Sequence, residues 1–161
     1  MTLNEALLQK LSEWRPTGPG RHVLAASVPD AGWTAAVTAD RADATGCLLW
    51  EVALSRTAAV PAGLTLHRWA EQAAKRVTAL LEPLSVHEVD AVRGEAILRS
   101  QAPANRAGQL GYYEVLLRGT ASATLRRYGA SHQPGSHRQQ VAFPLTHEAL
   151  AKVAEDLTAA Q

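Results

Sequence analysis

The sequence predicts a single α+β domain spanning residues 1–161: an antiparallel meander in one curved sheet, or two related ones, with three helices over the inner face. Three observations predict it. The stretch Gly111–Tyr128, GYYEVLLRGTASATLRRY, alternates apolar and polar residues on both sides of a glycine-containing turn, which is the period-two signature of a half-buried hairpin. Three more strand-like segments separated by turn residues lie between 23 and 54. The stretches 2–14, 65–82 and 147–159 carry apolar residues at helical spacing. A chain of 161 residues can bury one proper core and is short for two.

The elements follow in order. In 2–14, Thr2 and Glu5 have the spacing of a capping box, and Leu3, Leu7, Leu11 and Trp14 form one apolar face. Pro16 and the glycines of PTGPG stop this helix. Val23–Val28 and Trp33–Val37 read as strands around the turn PDAG, and ADRADATG (39–46) as a polar connection. Cys47–Leu54 reads as a third strand, with Leu48, Trp50, Val52 and Leu54 on one side and Glu51 on the other. Thr65 is placed to cap the second helix, which carries Leu66, Trp69, Ala73, Val77 and Leu80 on one stripe and ends at Glu82-Pro83.

Strands at Leu84–Val89 and Glu95–Arg99 then lead through the loop QAPANRAGQ to the Gly111–Tyr128 hairpin. There, placing Val115 opposite Leu125 demands an odd loop such as Gly119–Ala121, since a slip of one residue flips every side chain. GASHQPGSHRQ has no periodicity and reads as a mobile loop. Val141–Phe143 is a short strand stopped by Pro144, and Thr146 caps the last helix, whose Leu150, Val153 and Leu157 face inward. LWEVAL (49–54) also lines up with YYEVLL (112–117), so a duplicated αβββ unit followed by a C-terminal helix is a further expectation.

Composition narrows function mainly by exclusion. The formal net charge of +1 offers no bulk attraction to nucleic acid or an anionic membrane. Thirteen Arg against three Lys, with abundant Ala, is the bias of a GC-rich coding sequence. The single Cys47 excludes an internal disulfide, and its apolar flanks predict a buried, inert thiol. No apolar run is long enough for a membrane span and the N-terminus is no secretory signal, so a soluble, cytoplasmic protein is expected.

Catalytic signals are weak. His132 and His137 share the loop after the hairpin, but no carboxylate or third ligand stands at metal-binding spacing. His22, His67, His87 and His147 stand apart, and none of the serines sits in an elbow or beside a base. Glu88 and Asp90 share a strand face, as a solvated exterior would. With no phosphate-cradling loop and no dinucleotide fingerprint, no cofactor and no metal are expected. Tyr112, Arg118, Arg126 and Tyr128 should share the outer face of the hairpin, and they are residue types enriched at protein interfaces.

The order helix, three strands, helix, several strands, helix resembles that of the small secretion chaperones, and it is the order alone that carries the likeness. The resemblance implies dimerisation and a partner segment held along the sheet. The expected function is therefore a non-enzymatic, adaptor- or chaperone-like domain. It would recognise another protein, a second copy included, through the sheet face around Tyr112–Tyr128 or through a sheet edge. Two alternatives come from other classes. One is an enzyme or ligand-binding protein with a pocket between sheet and helices, the His132/His137 loop acting as lid. The other is a weak single-stranded nucleic-acid binder using the Arg/Tyr face.

Overall fold

The computed structural model describes residues 1–131 and 133–159. These form three α-helices, α1 (Leu3–Glu13), α2 (Leu66–Arg76) and α3 (His147–Thr158). The strands are β1 (His22–Val28), β2 (Trp33–Ala42), β3 (Gly46–Arg56), β4 (Leu84–Asp90), β5 (Glu95–Ser100), β6 (Ala104–Arg106), β7 (Gln109–Arg118), β8 (Ser122–Ser131), β9 (Gln139–Val141) and β10 (Phe143–Thr146). All pairings are antiparallel, in the order β1-β2-β3-β8-β7-β5-β4. This is the expected α+β class.

Local chemistry accounts for the helix starts. Thr2 Oγ1 accepts from Glu5 N while Glu5 Oε2 accepts from Thr2 N, a complete capping box. Thr65 and Thr146 cap α2 and α3 by accepting from Arg68 N and Ala149 N. Helix α2 ends earlier than expected, at Arg76 rather than Glu82. The β-branched pair Val77-Thr78 resists helix, and Val77 and Leu80 instead bury themselves in an irregular descent to β4. Leu81 closes that descent at φ 62° with its side chain in solvent.

The β7–β8 hairpin matches expectation to the residue: the loop is Gly119–Ala121, Val115 pairs with Leu125, and Gly119 sits at φ 52°. Elsewhere the sheet is more extensive than the local sequence suggests. Strand β2 continues through Ala39–Ala42, so the connection shrinks to 43–45. Part of the expected loop QAPANRAGQ is β6, folded onto β7 about Ala107 and Gly108, both at positive φ. Residues 139–146 form two strands rather than one. β9 pairs β8, β10 pairs β3, and together they fill the gap where β3 and β8 diverge. Pro144 lies inside β10, which pairs only with β3, so its missing N–H costs no ladder bond on a second side. Gly46 permits this approach, because a Cβ there would stand 2.7 Å from Leu145 O.

Strand β3 corrects the expected facing. Thr38 pairs with Glu51 but Ala39 pairs with Leu49, leaving Trp50 as a bulged residue. Cys47 and Leu49 therefore point inward with Val52 and Leu54, whereas Leu48 and Trp50 turn outward. Both matching hexapeptides flank β8 in one register: Val52 and Val115 both pair with Leu125, and Leu54 and Leu117 both with Ala123. The halves repeat helix, hairpin, aromatic strand in mirror order about β8. Because β3 and β7 run in the same direction on either side of β8 and all helices lie on one face, no two-fold carries one half onto the other, and the repetition is one of element order and strand pattern.

One core fills the space between the sheet and the helices. Leu7, Leu11, Leu150 and Leu157 meet Val37, Leu54, Leu125, Val115 and Leu98, all without solvent access or nearly so. Trp69 crosses this layer, its ring 6.0 Å from Trp33 and its Nε1 donating to Leu157 O at 3.0 Å. The thiol of Cys47 is buried here as expected, and burial pushes its pKa up to about 11. Among the described residues no helix is long and apolar enough to cross a membrane.

Candidate functional site

The helices gather on one side of the sheet, so the opposite face of seven consecutive strands carries no second layer among the described residues. Beside the Tyr112–Tyr128 pair, its side chains fall into three parallel rows fixed by the strand registers. The central row runs Ala25, Ala36, Ala53, Thr124, Leu116, Ile97 and Glu88 across β1, β2, β3, β8, β7, β5 and β4. One row below it runs Ser27, Thr34, Ser55, Ser122, Arg118, Glu95 and Asp90.

The row above alternates in charge. Glu51, Arg126, Glu114 and Arg99 stand on β3, β8, β7 and β5. Arg126 donates to Glu51 Oε1 from Nε (3.0 Å) and Nη2 (2.7 Å). Arg99 Nε donates to Glu114 Oε1 at 2.9 Å, and its Nη1 lies 3.1 Å from His87 Nε2. From the loop beyond β8, Arg138 adds a second bond to Glu114 Oε1 at 2.8 Å. Glu114 is thereby 8 % exposed although it belongs to the outward set.

Aromatic rings close this end of the face. Tyr112 and Tyr128 are cross-strand partners with ring centroids 6.1 Å apart. The Arg138 guanidinium lies 3.9 Å over Tyr128, and Arg99 lies 5.3 Å from the centre of the Tyr112 ring. Bulged Trp50 is stacked by Arg21 at 4.0 Å, and Gln140 Nε2 donates to its carbonyl at 2.7 Å. The Tyr128 hydroxyl, and Glu51 with it, outweighs burial and holds Arg126 above the usual guanidinium range. For Arg138, burial opposes the charge, but the bonds to Glu114 and Tyr112 prevail and raise it.

Tyr112, Arg126 and Tyr128 thus come together on the outer face, as the sequence suggests. Arg118 shares that face but lies six residues along β7 from Tyr112, about 20 Å away, exposed in the hydroxyl row. Sequence reasoning missed Glu51, Arg99 and Arg138 as partners of this cluster. A signal existed for Glu51, an acid at the centre of an apolar strand, but nothing local shows that β8 lies beside it.

A second polar group lies on the inner side of the same hairpin. Arg127 Nη1 donates to Glu82 Oε2 at 3.1 Å, Ser100 Oγ donates to Glu82 Oε1 at 2.8 Å, and Tyr113 N donates to Ser100 Oγ at 2.9 Å. The Arg127 guanidinium lies 4.5 Å over the Tyr113 ring, and Gly111 makes room for it, since a Cβ there would stand 2.8 Å from Nη2. Burial raises the Tyr113 pKa, partly offset by Arg127. Arg127, Glu82, Tyr113 and Gly111 line a cleft of about 400 Å³ with Arg106, Leu110 and Phe143. A larger cleft of about 740 Å³ at the β2–β3 turn holds Asp43 and Cys47. Three bonds from Thr45 N, Gly46 N and Thr45 Oγ1 already occupy the Asp43 carboxylate and hold its pKa at about 2.

For metal binding, His132 lies outside the described residues and His137 is exposed. Among the described residues no three His, Cys, Asp or Glu are grouped to hold an ion. No family model, curated protein or solved structure matches the chain, so the likeness to secretion chaperones rests on element order alone.

Proposed function

We propose that the chain is a non-enzymatic, adaptor-like protein-binding domain that recognises its partner through the outer face of the sheet. The observation that carries this reading is the one-sided layering: three helices cover one face, and among the described residues no second layer covers the other, where only the Arg138 loop folds over Glu114 and Tyr128. A sheet face with an apolar central row and flanking Arg, Tyr and Trp has the composition of an interface. Both sheet edges are guarded, which favours the face over edge pairing. β4 carries a bulge at His87 with Glu88 and Asp90 beside it. On β1, Lys10 Nζ occupies the Ala25 carbonyl at 2.7 Å.

The face also suits protein better than nucleic acid. Arg99, Arg126 and Arg138 each bond a carboxylate, which leaves little free positive charge to grip phosphates. A second reading, a small ligand in the Arg127–Tyr113 cleft, is favoured by that cleft's mixed polar and apolar lining. Arg127 is already neutralised by Glu82 there, so the outer face remains the stronger candidate.

The test compares the wild-type chain with a Tyr112→Ala/Arg126→Ala variant as bait. The variant should melt within a few degrees of wild type and lose its captured partner. Undiminished capture by a folded variant sinks the reading.

A further inference from the structure

We infer that the partner the outer face fits is a second copy of this chain, docked face to face about a two-fold axis parallel to the strands and lying between β7 and β8. This deepens the face-binding reading and rests on it. The argument is self-complementarity, which the central row and the row of hydroxyls supply independently.

A two-fold along the strands sets each row against the same row of the copy, reversed across the sheet. In the charged row, reversal places Glu51 over Arg99 of the copy, while Glu114 is already covered by Arg138 of its own chain. In the central row, the same axis sets Thr124 against Leu116 and Ala53 against Ile97. One half of the row is small and the other large, so reversal fits bulk into gap, as interdigitated sheet packing requires. In the third row, Ser122 meets Arg118 and Ser55 meets Glu95. Arg118, which takes part in no ion pair of the single chain among the described residues, thereby gains a hydroxyl partner.

The size is adequate. The axis leaves β1 without a facing strand, and six strands at about 4.8 Å with three rows about 6.6 Å apart give a patch of roughly 570 Å² per copy. Two copies would bury about 1,100 Å², just above the roughly 1,000 Å² a specific complex needs. The Arg138 loop, folded over Tyr128 and bonded to Glu114, covers the charged row at β7 and bounds the patch there. The inference predicts a dimer that dissociates on dilution, as small interfaces of this size class do.

The test exploits the fact that Ala53 and Ile97 are three strands apart in one chain, about 14 Å, yet face each other between copies. Sedimentation equilibrium of the full chain should show a dimer at high concentration. Ala53→Arg and Ile97→Glu should each weaken it at least tenfold while keeping the wild-type circular dichroism. The double variant, or an equimolar mixture of the two singles, should restore it. Thr124→Cys in a Cys47→Ser background, joined by a short bis-maleimide, gives a covalent dimer under this geometry and keeps the inference testable if a charged variant fails to fold.

A strict monomer overturns the second-copy inference, as does a dimer that neither single variant weakens, absent rescue, or absent cross-linking. The broader face-binding reading fails separately, when the Tyr112→Ala/Arg126→Ala variant keeps its capture of a different protein.

Discussion

Arg126 and Arg127 are neighbours in sequence and lie on opposite sides of the sheet, and each is bonded to a glutamate and placed against a tyrosine. Arg126, with Glu51 and Tyr128, faces outward and is 39 % exposed. Arg127, with Glu82 and Tyr113, faces inward and is 17 % exposed. The chemical groups are the same, so the difference lies in what surrounds them. Inward, the pair closes the end of a core and its glutamate also accepts from Ser100, which in turn accepts from the Tyr113 backbone. Outward, the pair belongs to a row that water reaches. The inner arginine holds the fold together, and the outer one presents a surface.

The largest effect that can break this comparison comes from the adjacent residues Leu125 and Thr124. Leu125 is fully buried and pairs with both Val52 and Val115. Leu125→Ala should cost about 3 kcal/mol in chemical denaturation, the sum of lost transfer and an unfilled cavity. Thr124→Ala, one residue away on the bare face, should change stability by less than about 0.5 kcal/mol in a monomer. Equal losses at the two positions would mean that the outer face is covered within the single chain.

The arginines themselves come next. Arg127→Ala strips Glu82 of its counter-charge in a partly dry site and should destabilise by about 2 kcal/mol. Arg126→Ala breaks a pair that solvent screens and should cost about 1 kcal/mol or less at low concentration, where self-association does not contribute. Added salt should shrink the Arg126 effect and leave most of the Arg127 effect. If the order of the two losses were reversed, the assignment of roles to the two sides would be wrong.

The two sides also differ in how much of them could be read from the chain. The hairpin's register was legible because alternation fixes which residues share a face and parity then fixes the loop. That reasoning places Tyr112, Arg126, Tyr128 and Arg118 on one face correctly, but a face is a direction and not a site. Arg118 shares the direction and lies at the far end. The partners Glu51, Arg99 and Arg138 come from β3, β5 and a loop, and only the strand order joins them. Trp50 shows the same gap more sharply: CLLWEVAL alternates with or without a bulge, and only the pairing of Thr38 with Glu51 and Ala39 with Leu49 reveals that the facing changes there. Pro144 was read as a stop because proline usually ends strands, whereas β10 tolerates it by pairing on one side alone.

Cys47 and Leu48 offer the gentlest probe of the same division, because the bulge decides which of them turns inward. With Trp50 bulged, Cys47 joins the core and Leu48 the outer face. Burial raises the Cys47 thiol to about 11 from an ordinary 9, so at pH 8 roughly a hundredfold fewer thiolates are present than at a free cysteine. Native protein should therefore react with a maleimide far more slowly than denatured protein does. Leu48→Cys in a Cys47→Ser background should react close to the free-thiol rate, with melting near that of the Cys47→Ser parent. Both cysteine positions are read against the Cys47→Ser parent, which carries the cost of burying a serine hydroxyl, so the rates report facing. Were the strand regular, as its sequence suggests, the two positions would exchange behaviour, and Trp50 would leave the outer face on which Arg21 now holds it.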